Sequence, residues 1–255
     1  MKPVIAVFAV ILLASSCKKE TTTAPPSPAP VKRIIQVKSQ EYPSSDISYT
    51  YDNLGRVAGE ETEQHTYSFI YGSGTCSSED YYKVQNRVFI KTAYNLDNSG
   101  LVVHSLQTIF DTPNTNHTVE YFFEYDPAGY MTNCKYKYSN SPDQEEIKYE
   151  YTDGNLIQST WSKNGAVVSV YKYTYTGLAD RLNINILSNI SSIKNLYGKG
   201  SNKLPATVET FDKNNIKVGE GTFTFELDAQ GYPAKLIYHN ATSNKDFHST
   251  YLYDK

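Results

Sequence analysis

Carboxylates, histidines and cysteines are the side chains of this sequence that could do chemistry, but few occur at a spacing that a known reaction needs. A glycosidase needs two carboxylates facing each other across a cleft. Glu145-Glu146 and Glu79-Asp80 are chain neighbours, which point to opposite faces of a strand. The five histidines share no motif, and the chain contains no HExxH, GxSxG or P-loop pattern. We therefore expect no enzymatic activity, with an unrecognised hydrolase as an alternative.

Metal and cofactor binding are not indicated either. Neither Cys76 nor Cys134 has a His or Cys at ligand spacing, and the aspartates lack the spaced oxygen ligands of a calcium loop. The sequence predicts no metal and no cofactor. Outside the cytoplasm Cys76 and Cys134 could form one disulfide. Nothing in the sequence brings them together, so two free thiols are the slightly favoured alternative.

Tyrosine provides a candidate binding surface, since the chain has 23 tyrosines beside a single tryptophan. Runs such as EYFFEYD, KYKYS and YKYTYT place aromatics at i and i+2, on one face of a strand. One interpretation is that these tyrosines form the hydrophobic core and its edge. The other is that some of them line a barrel mouth or concave face, where their rings stack on sugars or hold an acyl chain. The candidate binding aromatics are Tyr121, Tyr125, Tyr136, Tyr138, Tyr149, Tyr151, Tyr171, Tyr173 and Tyr175.

Turns of one recurring form separate these strands. Aspartate at the first position caps backbone N–H groups, and glycine at the fourth accepts a positive φ. Thr152-Asp153-Gly154 is a contracted version of the same turn. The predicted turn-forming residues are Asp52, Gly55, Asp97, Gly100, Asp126, Gly129, Gly154, Asp228 and Gly231.

The alternation of strands and turns predicts an all-β fold. Polar residues between the aromatics indicate antiparallel strands with one packed and one solvated face. Residues 182–196 depart from this pattern and read as a loop with at most a short helix. We expect residues 32–255 to form a single domain, a meander of hairpins closed into a soluble up-and-down barrel or left as a strongly curved open sheet.

The first sixteen residues predict a signal peptide. Lys2 precedes an apolar run of eleven residues, Val4 to Ala14, which is too short to span a bilayer as a mature helix. The small residues before Cys17 resemble a bacterial lipobox, with Ala14 where leucine is usual. That resemblance implies a lipidated Cys17. An ordinary cleaved signal with an incidental cysteine is the alternative.

Residues 17–31 read as a tether. The segment is rich in proline and threonine and lacks apolar periodicity, so it cannot bury enough surface to fold. Lys18, Lys19 and Glu20 favour export, which predicts an outer-membrane lipid anchor with a periplasmic or surface-exposed domain. The net charge of −3 and the absence of a basic tract argue against nucleic acid as a partner.

Two family resemblances follow from these motifs. YTYDNLGR, residues 49–56, resembles the YD repeat of Rhs and teneurin proteins, whose strands spiral into a shell. Over most of the domain, the order of YD-type hairpins, the segment YGKGSNKLP (197–205) and FTFELDAQGYPAKL resembles Bacteroidota lipoproteins with a domain of unknown function described as porin-like. This resemblance implies a barrel behind a lipidated tether and brings no catalytic residues.

A membrane-spanning barrel is the less favoured interpretation. A lipid-facing band must be apolar, whereas the residues alternating with tyrosine include Lys172, Glu124 and Lys137. We therefore expect a non-enzymatic binding or structural lipoprotein of the envelope. Its expected partners are the membrane, through the lipid anchor, and a glycan or envelope protein. A lipid carrier with a half-barrel is the first alternative.

Overall fold

The computed structural model of the chain describes residues 32–112, 115–182 and 196–254. The predicted signal peptide, the tether and most of residues 182–196 lie outside them. The described residues contain two single-turn 3-10 helices, Pro43–Ser45 and Lys83–Gln85, and sixteen strands. The strands are β1 (Ile34–Ser39), β2 (Ile47–Tyr51), β3 (Val57–Glu61), β4 (His65–Tyr71), β5 (Thr75–Tyr82), β6 (Arg87–Leu96), β7 (Val102–Thr112), β8 (Thr115–Tyr125), β9 (Met131–Tyr138), β10 (Gln144–Thr152), β11 (Asn155–Lys163), β12 (Ala166–Ala179), β13 (Lys203–Asp212), β14 (Lys217–Leu227), β15 (Pro233–Asn240) and β16 (Lys245–Tyr253).

The strands form a closed antiparallel barrel in which each strand pairs with its neighbours in sequence. The closing pair joins the first strand to the last: Val37 of β1 lies opposite Tyr251 of β16 and opposite Ile47 of β2. This arrangement confirms the predicted all-β up-and-down meander and selects the closed barrel over the open curved sheet. The strands close into a barrel and do not form the spiral shell of YD-repeat proteins.

Side chains alternate between an inner and an outer wall. Phe123 of β8 is 5% exposed and belongs to the central apolar cluster, whereas its neighbour Phe122 is 42% exposed. In β4, Phe69 and Ile70 differ in the same way. Since a closed barrel has one enclosed side, the buried face lines the lumen. The tyrosine-rich face therefore points inward.

The outer wall carries paired charges. Lys91 lies 2.7 Å from Glu79 and Lys137 lies 2.7 Å from Glu120, each pair joining neighbouring strands. Further outer pairs are Lys217–Glu209, Lys217–Glu220 and Lys235–Glu226. A lipid-facing band would have to be apolar, and these charges are typical of a wall in contact with water. No helix among the described residues has the length and apolarity to cross a bilayer.

The hairpins lie at two ends of the barrel. The Asp–Gly turns lie at one end, termed the closed end, where Lys32 also enters and binds Asp228 at 2.6 Å. The other end, termed the mouth, carries the hairpin loops 62–64, 83–86, 139–143, 164–165, 213–216 and 241–244.

Residues 196–202, termed the strap, lie across the inside of the closed end. Leu196 and Tyr197 are buried in the central cluster, where the Tyr197 ring meets Phe123 edge-on at 5.3 Å. The backbone N–H of Lys199 donates to Gly129 O at 2.9 Å. The strap thereby ties the β12–β13 connection to a neighbouring turn and fills this end of the lumen.

Candidate functional site

The aspartates of the recurring turns bind their own backbone. Asp52 Oδ1 accepts hydrogen bonds from the N–H groups of Leu54 and Arg56, both at 2.9 Å, and Gly55 has a φ of +77°. The same pattern recurs at the turns that begin with Asp97 and Asp228, and Asp126 Oδ1 accepts the second of the two bonds, from the N–H of Tyr130. Gly100, Gly129, Gly154 and Gly231 also have positive φ. These residues shape the closed end, and nothing in their contacts points to a ligand.

Tyrosines at strand ends bind backbone carbonyls. Tyr51 OH donates to Ile34 O at 2.6 Å, and Tyr125 OH donates to Val102 O at 2.8 Å. Three further pairs follow this form: Tyr71 with Val57, Tyr175 with Leu156 and Tyr253 with Pro233. In each pair the last tyrosine of a strand reaches the beginning of the preceding strand. These rings therefore hold the closed end together.

The nine candidate binding tyrosines all face the lumen, but they lie at three heights. Those nearest the closed end are Tyr125, Tyr151 and Tyr175. Those at mid-height are Tyr121, Tyr149, Tyr171 and Tyr173. Those nearest the mouth are Tyr136 and Tyr138. Only the last group combines an inward orientation with partial exposure close to the opening.

Glu145 organises one side of the mouth. Tyr136 OH and Trp161 Nε1 both donate to Glu145 Oε2, at 2.6 and 2.8 Å. The Tyr136 ring packs edge-on against Tyr138 at 6.0 Å. Burial, followed by the bond to Glu145, raises the pKa of Tyr136, so the phenol stays a neutral donor. Glu145, Trp161, Tyr136 and Tyr138 are termed the Glu145 site. Glu145 and Trp161 were not among the residues predicted for binding.

A row of packed aromatic rings occupies another side of the mouth. Centroids lie 4.9 Å apart between Phe223 and Tyr238, 6.1 Å between Tyr238 and Phe247, and 6.1 Å between Phe247 and Tyr42. A Cβ on Gly221 would lie 2.3 Å from the Tyr238 ring, so glycine makes room for this row. The period-two aromatics of β14 to β16 are the sequence signal for it.

A buried carboxylate and a histidine form a third group. Asp80, 3% exposed, binds His65 Nδ1 at 2.8 Å, and His65 stacks on Tyr82 at 4.9 Å. The side chain of Glu60 is also buried on the inner wall, with Tyr67 between it and Asp80 in the register. Because both carboxyl groups are buried, this part of the wall does not offer the open two-carboxylate cleft that a glycosidase needs.

The Cys76–Cys134 disulfide, one of the two predicted alternatives, is not formed. Both residues are buried free thiols. Cys76 lies in β5 and Cys134 in β9, with three strands between them. Within residues 32–112, 115–182 and 196–254, no group of three His, Cys, Asp or Glu side chains could hold a metal ion.

Comparison with solved structures finds the same fold in porin-like proteins. A porin-like protein from Bacteroides uniformis ATCC 8492 superposes with a TM-score of 0.64 at 14% identity, covering 88% of this chain and 98% of its own. One from Bacteroides vulgatus ATCC 8482 superposes with a TM-score of 0.64 at 12% identity, covering 87% and 98%. At this identity the likeness extends to the fold alone. No protein-family profile matches the chain, and no curated protein matches it.

Proposed function

We propose that the protein is a non-enzymatic, lipid-anchored protein of the bacterial cell envelope that binds a glycan at the mouth of its barrel. The observation that carries this proposal is the Glu145 site, where partly exposed indole and phenol rings surround a carboxylate just inside the opening. Flat rings stack on the apolar faces of sugars while polar groups bind the hydroxyls.

The chemistry of the inner wall favours a glycan over a lipid. Between the rings the wall carries polar side chains such as Gln107, which is partly exposed. A carrier of acyl chains needs a continuous apolar surface. In this barrel the fully apolar cluster lies towards the closed end, where Leu196 and Tyr197 of the strap already fill it.

The expected cellular location follows from the predicted signal peptide and from the charges on the outer wall. A lipid on Cys17 would attach the chain to the outer membrane, and the charged outer wall favours a barrel standing in water, either in the periplasm or at the cell surface. The porin-like neighbours from Bacteroides support an envelope role. Beyond the membrane, the proposed partner is a glycan or a glycan-bearing envelope component, and nucleic acid is not expected.

Glycan binding is tested with the detergent-solubilised full chain on a glycan array and in a peptidoglycan pull-down. We expect binding that Trp161→Ala and Tyr138→Ala each weaken by about tenfold or more. Phe122→Ala, which removes a partly exposed ring from the outer wall, is the matched control and should leave binding unchanged. Circular dichroism confirms that each variant is folded. Binding no stronger than that of a control lipoprotein would overturn the proposal.

A further inference from the structure

Most carboxylates around the mouth have a basic partner. Asp143, for example, lies 2.7 Å from the ammonium group of Lys163. The other pairs are Asp80–His65, Asp111–His117, Asp246–His239 and Glu41–His248. Glu145 differs from all of these, because the two groups that bind it are a phenol and an indole, both neutral.

Both hydrogen bonds to Glu145 end on the same carboxylate oxygen. Tyr136 and Trp161 both reach Oε2, and in the described part of the chain no hydrogen bond ends on Oε1. Lys163 lies opposite Glu145 in the β10–β11 register, but its ammonium group binds Asp143 instead. The site thus holds a carboxylate in a fixed orientation among aromatic rings, with one oxygen left for a ligand.

We propose that the Glu145 site receives a protonated amine, specifically the ammonium group of an amino sugar whose nitrogen is not acetylated. This inference rests on the proposed glycan binding and names the sugar class. A carboxylate provides a charge-assisted hydrogen bond to the ammonium group. The faces of Trp161 and Tyr138 provide cation–π attraction and a stacking surface for the sugar ring.

The nearby charges support a cationic ligand over an anionic one. An anionic sugar would meet the Glu145 carboxylate, and the nearest ammonium group, Lys163, is occupied by Asp143. Tyr138 is another neighbour of Glu145: burial raises its pKa, as does the Glu145 charge, so it remains a neutral hydroxyl.

Trp161 reports directly on this site, because it is the only tryptophan of the chain. The full chain is titrated with three probes while tryptophan fluorescence is recorded: a β-1,4-linked glucosamine tetramer, its N-acetylated counterpart, and spermidine. The pH is set so that the sugar amines are protonated. We expect the glucosamine tetramer to bind about tenfold more tightly than the acetylated one, with an affinity that falls as salt rises.

Two variants separate the contribution of the Glu145 charge to binding from its contribution to the structure of the site. Glu145→Gln keeps an acceptor for the indole and the phenol but removes the charge, and it should abolish the preference for the free amine. Glu146→Gln is the matched control, since Glu146 is the next residue and binds Asn133 on the outer wall. It should leave the preference unchanged.

The outcomes distinguish this inference from the glycan proposal. Equal or tighter binding of the acetylated tetramer would overturn the amine inference and leave glycan binding intact. Spermidine binding as tightly as the glucosamine tetramer would show an ammonium site without sugar recognition, which contradicts the assigned sugar class. If none of the probes binds but the array detects another glycan, the amine inference alone fails. No binding in either experiment would overturn both proposals.

Discussion

At the scale of single residues, the phenol groups at the strand ends stabilise the closed end. Tyr125 OH donates to Val102 O, and Val102 is completely buried. A carbonyl at the beginning of a strand otherwise depends on the loop or on water for a partner. The tyrosine of the YD motif thus supplies a donor to the neighbouring strand while its ring fills the lumen.

Tyr125→Phe should lower the free energy of unfolding by about 1 kcal/mol, because it removes one buried hydrogen bond and leaves the ring in place. Urea denaturation measures the difference. Tyr42→Phe is the control, since Tyr42 is half exposed and stacks on Phe247 through its ring. Equal stability of Tyr125→Phe and the unmodified chain would show that the phenol bond contributes nothing.

The sequence could predict the turn of this motif, but it could not predict the carbonyl that the tyrosine binds on the neighbouring strand. Asp52 and Gly55 act within one turn, so their types and spacing suffice to predict the turn. The carbonyl that Tyr125 binds lies 23 residues away in the chain. Its position depends on strand register, which a single sequence does not give.

At the scale of elements, the strap needs glycine at 198. Gly198 has a φ of +81°, and a Cβ there would lie 2.4 Å from the carbonyl oxygen of Gly129. Two turn segments therefore touch through backbone alone, which brings the strap down onto the β8–β9 turn.

Gly198→Ala should destabilise the barrel by more than Gly165→Ala, although both positions have positive φ. Gly165, with a φ of +78°, has open space where a Cβ would lie. Alanine at 165 should therefore cost only the conformational penalty, about 1 kcal/mol. Urea denaturation gives the free energy of unfolding of both variants, and the larger loss in Gly198→Ala measures the cost of the backbone clash. If both variants were equally stable, the strap would not be tightly seated on the turn.

The turn between β13 and β14 has the geometry of the Asp–Gly turns but lacks their sequence motif. Asp212 Oδ1 accepts from the N–H groups of Asn214 and Ile216, as in the predicted Asp–Gly turns. Asn215 replaces glycine there, with a φ of +60°. Asparagine tolerates this region better than most residues, so a motif that requires glycine passes over the turn.

At the scale of the whole molecule, the period-two pattern predicts the sheet, but closure and the lumen arise from pairings between distant strands. Glu145 and Trp161 meet because β10 and β11 pair with a particular register, and their inward orientation depends on which face is enclosed. In the sequence they looked like half of an acidic pair and an isolated tryptophan. The site was therefore not predictable, although the tyrosines that surround it were.

The buried phenols make the fold sensitive to alkali. Burial raises the pKa of Tyr67, Tyr121, Tyr173 and Tyr251 to about 12. The phenol of an unfolded tyrosine ionises at about pH 10. Below that pH both states are protonated and stability is complete. Above it the unfolded state releases protons first, so the free energy of unfolding falls as the pH rises towards the folded pKa values.

A pH titration of tyrosinate absorbance, recorded together with circular dichroism, checks this expectation. Exposed tyrosines should ionise first, and a second increase should accompany loss of the β-sheet signal. The urea midpoint should decrease over the same range. A single ionisation step for all 23 tyrosines near about pH 10, with the sheet intact, would contradict it.

The pairing of β1 with β16 constrains the order in which the chain can fold. The first strand of the barrel cannot complete its hydrogen bonds until the last one is available, so contacts of the longest sequence separation form at the end. A folding chain would expose two unpaired strand edges until that moment, and such edges template aggregation. Loss of β16 alone would make both edges permanent, so a chaperone that shields exposed strands during folding would matter more for this protein than for an equally large helical one.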